Sequence, residues 1–297
     1  MSYYGLVYFA SGVSLACSLF LKFTLPRVLY GIFKEVFMQQ LVEPVIQIAR
    51  EAGHKILSVY NSDFSVEQKD DLSPITQADL LAHEHIKRGL NTLTPDIPLL
   101  SEESSEQEIA NRLCWQRYWL VDPLDGTKEF VSRNGEFTVN IALIENGKPV
   151  FGVVFAPVLD LLYWGSELGA FKQQGQAQAQ SICVADTPKR EDTWRVLVSR
   201  NHLSDETLEY LKQFSAIKQR SIGSSLKFCL VAQGSADLYP RFAPTCEWDS
   251  AAAQAVIEAA GGCVLEYPKL NPLRYNRRDT LLNPHFIVCA DTPLSWV

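Results

Sequence analysis

Two carboxylates three residues apart, Asp122 and Asp125, stand within Trp119–Phe130, a segment of sequence WLVDPLDGTKEF. The apolar residues before Asp122 predict the end of a buried strand, the proline and Gly126 predict a turn, and Thr127 can begin a helix. Two acids at a strand end would repel each other, and a hard divalent cation with oxygen ligands would relieve that repulsion. The free N–H groups of the following helix would suit a phosphate. The pattern predicts a metal and phosphate site, and the alternative is a tight turn whose Asp125 only caps a helix.

Other acids also stand where strands and helices begin or end. Glu102 and Glu103 follow the apolar residues Leu99–Ser101, which predict a strand that delivers Glu102 toward the site and Glu103 toward the other side. Asp249 opens a helix rich in small residues, and Asp79 falls in the first turn of another helix. Taken singly, Asp249 can be an N-cap and Asp79 can compensate the helix dipole.

The elements that must position these acids can be predicted from hydrophobic periodicity. Two helices are expected at Leu41–Tyr60, with Pro44 in its first turn, and at Thr76–Leu93. The polar segment Asn61–Ile75 between them predicts a loop long enough to move over a site. Alternating β-branched residues and an Asn-Gly turn then predict an antiparallel sheet. Its strands are expected at Phe137–Ile144, Val150–Ala156, Leu161–Gly165 and Ala170–Lys172.

The composition turns polar at residues 186–190, and beyond that point strands and helices alternate, as is typical of an α/β layer. The strands are expected at Val196–Ser199, Asp237–Arg241 and Phe286–Ala290, and the helices at Ser204–Phe214, Ser224–Gln233 and Ser250–Ala260. We therefore expect an apolar extension at 1–37, an α+β metal-binding domain at 38–186 and an α/β domain at 187–297 that completes the site.

Composition bounds the function. A chain of 297 residues with 47% hydrophobic residues can fill a proper core. A net charge of −7 without any Lys/Arg run argues against nucleic-acid polymers as partners, although metal can reverse the local sign for a small anion. Seven scattered cysteines without a Cys-x-x-Cys pair predict reduced, mostly buried thiols in a cytoplasmic setting. His83 and His85 are two residues apart, cannot share a helix face, and are interpreted as surface residues.

The first 37 residues differ from the rest. Tyr4–Leu21 holds no charged residue, and Lys22, Arg27 and Lys34 follow it, which resembles a short membrane helix with basic residues on its cytoplasmic side. Glycines and serines dilute its hydrophobicity, and a basic region before it, as in a signal peptide, is missing. The alternatives are an anchor at the inner membrane or a true start at Met38.

The acids, their order and their separation resemble the motif set of the inositol monophosphatase superfamily. Within it, the resemblance is to bacterial 3′(2′),5′-bisphosphate nucleotidases of the CysQ type, over Met38 to the C-terminus. The stretches that carry it are Lys69–Asp79 (KDDLSPITQAD), Tyr118–Phe130 (YWLVDPLDGTKEF), Arg133–Ala142 (RNGEFTVNIA), Ser221–Gly234 (SIGSSLKFCLVAQG) and the WDSAA that begins at Trp248. The superfamily often has Gly where Ala253 follows WDSAA, a departure that concerns helix packing and not the metal site.

The resemblance implies a layered αβαβα sandwich and two or three Mg²⁺ ions. By matched position, the metal ligands would be Glu102, Asp122, Asp125, Asp249 and the backbone carbonyl of Leu124. Thr127 would orient the attacking water, Glu102 would act as base, and Asp79 would support Thr127 or a weaker metal. The phosphate would lie against Asp125, Gly126 and Thr127, with Glu102, Leu124 and Asp249 also lining the substrate.

The resemblance also implies contacts to a nucleotide. Gly223, Ser224 and Lys227 would lie on the nucleotide side, where Lys227 would pair with a 5′-phosphate, and Ser199–His202 would reach the base. The alternative is an ordinary loop and helix start. The expected reaction is removal of the 3′-phosphate from adenosine 3′,5′-bisphosphate to give AMP, a step that clears a by-product of sulfate activation, with inhibition by Li⁺. The rivals are an inositol or sugar phosphatase and a non-catalytic regulatory protein on the same fold. The sequence leaves the oligomeric state open.

Overall fold

The computed structural model describes residues 27–62, 66–68, 74–200 and 204–291. The chain divides after Glu43 into two compact units. The described part of the first unit belongs to helix α1 (Arg27–Tyr60), which continues into the second unit with Pro44 inside it. The helix thus begins well before Leu41, and the prediction that Pro44 lies in a first turn is wrong.

None of the helices in the described ranges is long and apolar enough to cross a membrane. The predicted anchor falls mainly on residues 1–26, which lie outside those ranges. The predicted domain limits at 37/38 and 186/187 stay predictions.

A seven-stranded sheet occupies the middle of the second unit's first part. Its strand order is β3-β4-β5-β6-β7-β8-β9; β3 is parallel to β4 and all other neighbours are antiparallel. The strands are β3 (Leu99–Ser101), β4 (Arg117–Asp125), β5 (Thr138–Glu145), β6 (Lys148–Ala156), β7 (Leu161–Ser166), β8 (Gly169–Gln174) and β9 (Gln180–Ser181). Most residues of β4, β5 and β6 are buried, because helices cover both faces of this sheet.

A five-stranded mixed sheet follows. Its order is β11-β10-β12-β14-β13, with β10 parallel to both of its neighbours and β14 antiparallel to both of its own. The strands are β10 (Thr193–Ser199), β11 (Ala216–Ile222), β12 (Leu238–Arg241), β13 (Cys263–Glu266) and β14 (Phe286–Cys289).

The helices form the layers around the two sheets. They are α2 (Gln77–Leu93), α3 (Glu106–Asn111), α4 (Thr127–Val131), α5 (Asp205–Leu211), α6 (Leu226–Ala232) and α7 (Trp248–Ala259). Helix α7 packs against β4 to β8 and against β13, and α6 packs against α7, β12 and β14. On the other face of the large sheet Gly53 of α1 meets Phe155, and on the far face of the small sheet Leu211 of α5 joins the apolar cluster around Trp194. The expected αβαβα sandwich is confirmed.

The predicted elements are confirmed with shifts at their ends, the largest at the start of α1, and other expectations were wrong or incomplete. The segment 61–75 is not only a loop, because β1 (Val66–Gln68) and β2 (Pro74–Thr76) pair in a hairpin. Strands β9, β11 and β13 and helix α3 were not predicted. Six described cysteines are free thiols, but only Cys229 and Cys289 are buried, so the expectation of mostly buried thiols is wrong. His83 is also buried, against its interpretation as a surface residue.

Candidate active site

A β-bulge at the end of β4 brings the two acids of the DPLD segment together. Asp122 lies opposite Asn140 and Asp125 opposite Thr138. Strand β4 therefore contains one residue more than β5 over the same length. In a regular strand, residues three apart point to opposite faces, and one extra residue returns both side chains to the same face. The chain therefore stays in the strand as far as Asp125, and the turn predicted at the proline is a bulge.

Asp122 is the most strongly perturbed acid of the site. Its side chain is only 1% exposed, and its Oδ1 accepts a hydrogen bond from the Leu124 N–H at 3.1 Å. Burial raises the pKa of Asp122 well above its ordinary value, and the nearby charges of Glu102, Asp125, Asp249 and Asp79 raise it further. The order of these causes shows that several carboxylates crowd around one buried group.

Glu102 and Asp249 reach the same place from distant elements. Glu102 follows β3 directly and its N–H bonds the Val121 carbonyl at 3.2 Å, which ties it to β4. Asp249 lies in the first turn of α7, where its Oδ2 accepts the Cys246 N–H at 2.8 Å. Burial, followed by Asp125 and Glu102, raises the pKa of Asp249. Both acids line one cavity together with Asp122 and Asp125.

That cavity has a volume of about 500 Å³ and is lined by both predicted and unpredicted residues. Leu124, Gly126 and Thr127 line it beside the acids, as do Gly223, Ser224 and Lys227. Asp79 does not appear in the lining; it is buried in the first turn of α2, close enough for its charge to affect Asp122. Gly126 has φ +96°, a left-handed conformation that disfavours any residue with a Cβ, and it caps the five-residue helix α4.

The acid side of the cavity suits a hard cation by its chemistry. Carboxylate and carbonyl oxygens are the donors that Mg²⁺ prefers, and crowded buried carboxylates gain stability when a cation offsets their charges. Within the part of the chain that the structure describes, no three His, Cys, Asp or Glu side chains form a ready ligand shell. The fit therefore rests on the donor types, the shared cavity and the mutual effect of these acids on their pKa values.

Asp125 links the acid side to the start of α6. Its Oδ2 accepts the Ser225 N–H at 2.6 Å, and the Asn140 amide lies 3.4 Å away. Ser225 is 2% exposed, and its Oγ donates to the Asn140 Oδ1 at 2.8 Å. Burial raises the pKa of Asp125, whereas the Lys227 charge and the Ser225 N–H lower it.

Cationic side chains line the same cavity as the acids. Lys227 is buried, and its Nζ donates to the carbonyls of Ile222 at 3.1 Å and Ser224 at 2.6 Å. Burial lowers the pKa of Lys227 to about 8. Arg241 is 8% exposed and bonds the Ser199 Oγ and the Pro244 carbonyl, while its buried Nε meets no acceptor among the described residues.

Several lining residues were missed from the sequence. Tyr239 and Arg241 were predicted only as part of a strand, and their alternation into the cavity needs the neighbouring strands to be known. Ser199 and Arg200 of the SRNH segment line the cavity, whereas residues 201–203 lie outside the described ranges, and contact with a base stays a prediction. Glu103 is not in the lining, and its N–H bonds the Ser101 Oγ at 3.3 Å.

The fold and this acid-lined cavity agree with a comparison of known sequences. The pattern of the inositol monophosphatase family matches residues 38–292, and the chain belongs to that family.

Relatives within the family are close in sequence. The chain is 53% identical over 251 residues to the 3′(2′),5′-bisphosphate nucleotidase CysQ of Salmonella typhimurium, covering 84% of this chain and 99% of that protein. It is 51% identical, over the same share of each chain, to the protein of that name from Escherichia coli K12.

Solved structures agree. The crystal structure of CysQ from Bacteroides thetaiotaomicron, described as a bacterial member of this family, matches with a TM-score of 0.73 at 43% identity, covering 84% of this chain and 96% of that one. The Thermotoga maritima IMPase, at 24% identity and a TM-score of 0.66, shares the fold.

Proposed function

We propose that this chain is a Mg²⁺-dependent 3′(2′),5′-bisphosphate nucleotidase that hydrolyses adenosine 3′,5′-bisphosphate to AMP and phosphate. The observation that carries the proposal is that clustered acids and cationic side chains line one cavity. A molecule with two phosphates could place the scissile one at the acids and the other at the cations. The names of the 51–53% identical relatives agree with this substrate class.

The metal would be held by Glu102, Asp122, Asp125, Asp249 and the Leu124 carbonyl, with two or three ions in all. Bound there, Mg²⁺ supplies an activated water and charge stabilisation for the leaving oxygen. Ionised Asp122 is disfavoured by burial, so its negative charge is retained only when positive charge lies beside it.

The chain's own groups orient the reaction. Thr127, at the start of α4, would hold the attacking water by its hydroxyl, and Glu102 would take the proton from that water. Gly126 lets the backbone approach the phosphate, because its left-handed φ leaves no Cβ in the way. Asp79, buried beside Asp122, would support Thr127 or a further metal.

The second phosphate would lie at Arg241, Arg200 and the start of α6. Arg241 has a desolvated guanidinium with a spare Nε donor, and such a planar cation binds phosphate well. Lys227 contributes charge, although two of its donors are used by backbone carbonyls. Its placement supports a role in shaping the Ser224 turn as much as in touching the nucleotide.

The deciding experiment is a phosphate-release panel with Mg²⁺ over adenosine 3′,5′-bisphosphate, myo-inositol 1-phosphate and fructose 1,6-bisphosphate. We expect kcat/KM for the bisphosphate nucleotide to exceed that for the inositol monophosphate by at least about 100-fold, since each charge-assisted contact to the second phosphate contributes about 1.5–3 kcal/mol. Fructose 1,6-bisphosphate, which also carries two phosphates, tests whether the nucleoside is needed. Faster turnover of the inositol phosphate would overturn the substrate.

Two finer properties belong to the same proposal. Inhibition by millimolar Li⁺ at low Mg²⁺ is expected from the resemblance, and activity unmoved by Li⁺ would refute it. Association of residues 1–37 with the inner membrane is tested by fractionating the full chain beside a chain that starts at Met38. Identical distribution of the two would reject the anchor.

A further inference from the structure

The RNGEFTVN segment contains an acid, Glu136, that has no role in the proposed reaction. Glu136 does not line the cavity, yet its carboxylate contacts two residues that do. Its Oε2 accepts the Gly223 N–H at 2.7 Å, and its Oε1 and Oε2 lie 2.8 and 2.9 Å from Nη2 of Arg200. Glu136 therefore joins the β11–α6 turn to the end of β10.

The turn that Glu136 holds is under conformational constraint. Ser224 has φ +47°, a left-handed conformation that is uncommon for residues other than glycine. A Cβ at Gly223 would lie 2.6 Å from the Glu129 Cγ and 2.8 Å from the Glu136 carbonyl oxygen, so the backbone approaches too closely for a side chain. Such a turn persists only when its surroundings fix it.

The turn is fixed at both ends. Glu136 accepts the Gly223 N–H, Lys227 donates to the Ser224 carbonyl, and Asp125 accepts the Ser225 N–H. Asp125 belongs to the acid side and Glu136 to the other side of the turn. Loss of the Glu136 contact would therefore loosen Gly223 and Arg200 and leave the Asp125 contact in place.

Arg200 gains its position from the same carboxylate. Its side chain is 40% exposed, so without a partner it would sample many rotamers. A long side chain that must be ordered on binding reduces affinity, and ordering it beforehand avoids that loss. Both Glu136 oxygens accept hydrogen bonds from Arg200, and Glu136 itself does not line the cavity. The acid therefore holds Arg200 from behind the cavity wall.

We propose that Glu136 is a positioning residue that sets the preference for a substrate with a second phosphate, by fixing the Gly223 turn and the Arg200 guanidinium. The inference rests on the proposed function. It separates the two phosphates, because Glu136 contacts Gly223 and Arg200, which would meet the second phosphate, and contacts none of the acids that would hold the metal.

The test compares adenosine 3′,5′-bisphosphate with adenosine 3′-monophosphate, which keeps the scissile phosphate and lacks the second. Glu136→Gln retains an oxygen for the Gly223 N–H and removes the charge that holds Arg200. KM for the bisphosphate should rise about tenfold, as expected for one charge-assisted contact. The KM for the monophosphate and both kcat values should change less than about twofold.

A matched control is Glu145→Gln, which breaks the half-buried pair between Glu145 and Arg117 at 2.6 Å on the same sheet, outside the cavity lining. It should leave both KM values unchanged. Arg200→Gln should reproduce the Glu136→Gln effect, and the double variant should add little to either. Arg200→Gln also serves as the test if Glu136→Gln fails to fold.

The outcomes are distinct. Equal losses on the two substrates would mean a general structural role, and unchanged kinetics would mean no role; either overturns the inference. An unsubstituted enzyme that does not prefer the bisphosphate over the monophosphate would overturn the proposed function itself, before any variant is measured.

A separate pair of side chains, Cys263 and Cys289, lies at the opposite edge of the five-stranded sheet from β11. The two residues are directly opposed on antiparallel β13 and β14, and their Sγ atoms are 3.5 Å apart. Opposed residues on antiparallel strands have Cα atoms about 4.5–5.5 Å apart, a separation that a disulfide can span. The hydrogen bond with Cys289 lowers the pKa of the partly exposed Cys263, which favours its reactive thiolate.

We propose that this pair closes a disulfide by exchange with a small-molecule disulfide such as glutathione disulfide. The Cys263 thiolate attacks one glutathione sulfur and releases the first glutathione thiolate. The Cys289 thiol then loses its proton and attacks the Cys263 sulfur, which releases the second glutathione. Two protein thiols and one glutathione disulfide thus give one protein disulfide and two glutathione thiols.

The bond would enclose the segment between β13 and β14, whose Asn276 N–H donates to Glu247 at the start of α7. Closing that loop should raise the apparent Tm by roughly 5 °C, since it restricts the unfolded chain. The experiment treats the protein with glutathione disulfide, maps its peptides and measures Tm, with Cys263→Ser and Cys246→Ser beside it. We expect a peptide linked through residues 263 and 289, together with a rise in Tm, in the unsubstituted protein and in Cys246→Ser. Neither is expected in Cys263→Ser. Absence of the linked peptide would overturn the inference.

Discussion

Asp122 shows how a single buried charge can depend on its neighbours. Burial is the largest cause that raises the pKa of Asp122, and the nearby charges of Glu102 and Asp125 raise it further. Ionised Asp122 therefore destabilises the folded protein when no cation is bound. We expect Asp122→Asn to raise stability in EDTA by about 1–2 kcal/mol, while Mg²⁺-dependent phosphate release falls at least about 100-fold. Thermal unfolding and phosphate release measure the two effects.

The same shift fixes the sign of a pH dependence. The folded pKa of Asp122 exceeds the unfolded value, so the folded state binds more protons between the two values. Stability in EDTA should then fall as pH rises through that window, and Asp122→Asn should reduce the slope. The pKa values of Asp125 and Asp249 are also raised, so part of the pH dependence should remain in the Asp122→Asn variant. The exposed Asp96→Asn variant is the control, and an equally flattened slope there would contradict the assignment.

Lys227 carries a second prediction for single residues. Burial lowers its pKa to about 8, so its positive charge is present below that pH and is lost as pH rises through it. The attraction for a second phosphate should weaken in the same range. We expect kcat/KM for the bisphosphate nucleotide to fall above pH 8 in the unsubstituted enzyme. Lys227→Met should give a low value whose pH profile lacks that step, and an identical step in both enzymes would contradict the role.

At the scale of elements, helix α7 must approach the large sheet very closely to place Asp249. A Cβ on Gly152 of β6 would lie 2.2 Å from the Ala252 carbonyl oxygen, and one on Gly165 of β7 would lie 2.6 Å from the Val256 Cα. We expect Gly152→Ala to displace α7, reduce stability by about 1–3 kcal/mol and lower kcat. Denaturant unfolding and initial rates measure these effects. Gly31→Ala, at an open position of α1, should leave kcat unchanged and should not lower stability, because alanine favours a helix more than glycine does.

This packing also marks how far the sequence could lead. The small residues of α7 predicted a closely packed helix, and hydrophobic alternation predicted β5 to β7, because those signals are local. The glycines of β6 and β7 gave no such signal, because the helix residues that pack against them lie about a hundred residues away in the chain. Strand β11 escaped prediction because six of its seven residues are exposed, which removes the apolar pattern.

The acids were predictable from motifs in the sequence, and so were Lys227 and Arg200 among the cations, whereas Arg241 was not. The acids stand in long motif stretches that carry a family resemblance. The bulge that turns Asp122 and Asp125 to one face, however, depends on pairing with Asn140 and Thr138, which only the folded sheet defines. Arg241 reaches the cavity because β12 lies between β10 and β14, an order that no local pattern encodes.

At the scale of the whole molecule, the acid side exists only when distant parts of the chain are folded together. Glu102 follows β3, Asp122 and Asp125 end β4, and Asp249 begins α7, which packs between the two sheets. An unfolded chain cannot gather these groups, so a cation that binds them binds the folded state alone. Such binding stabilises the folded state by mass action, by about 2.7 kcal/mol at a cation concentration of a hundred times the dissociation constant.

We therefore expect Mg²⁺ to raise the apparent Tm relative to EDTA, measured by calorimetry without substrate. The rise should vanish in Asp249→Asn and persist in Asp96→Asn, because only the former loses a charge that faces Asp125 and Glu102. A full Mg²⁺-dependent rise in Asp249→Asn would show that the cation is held elsewhere.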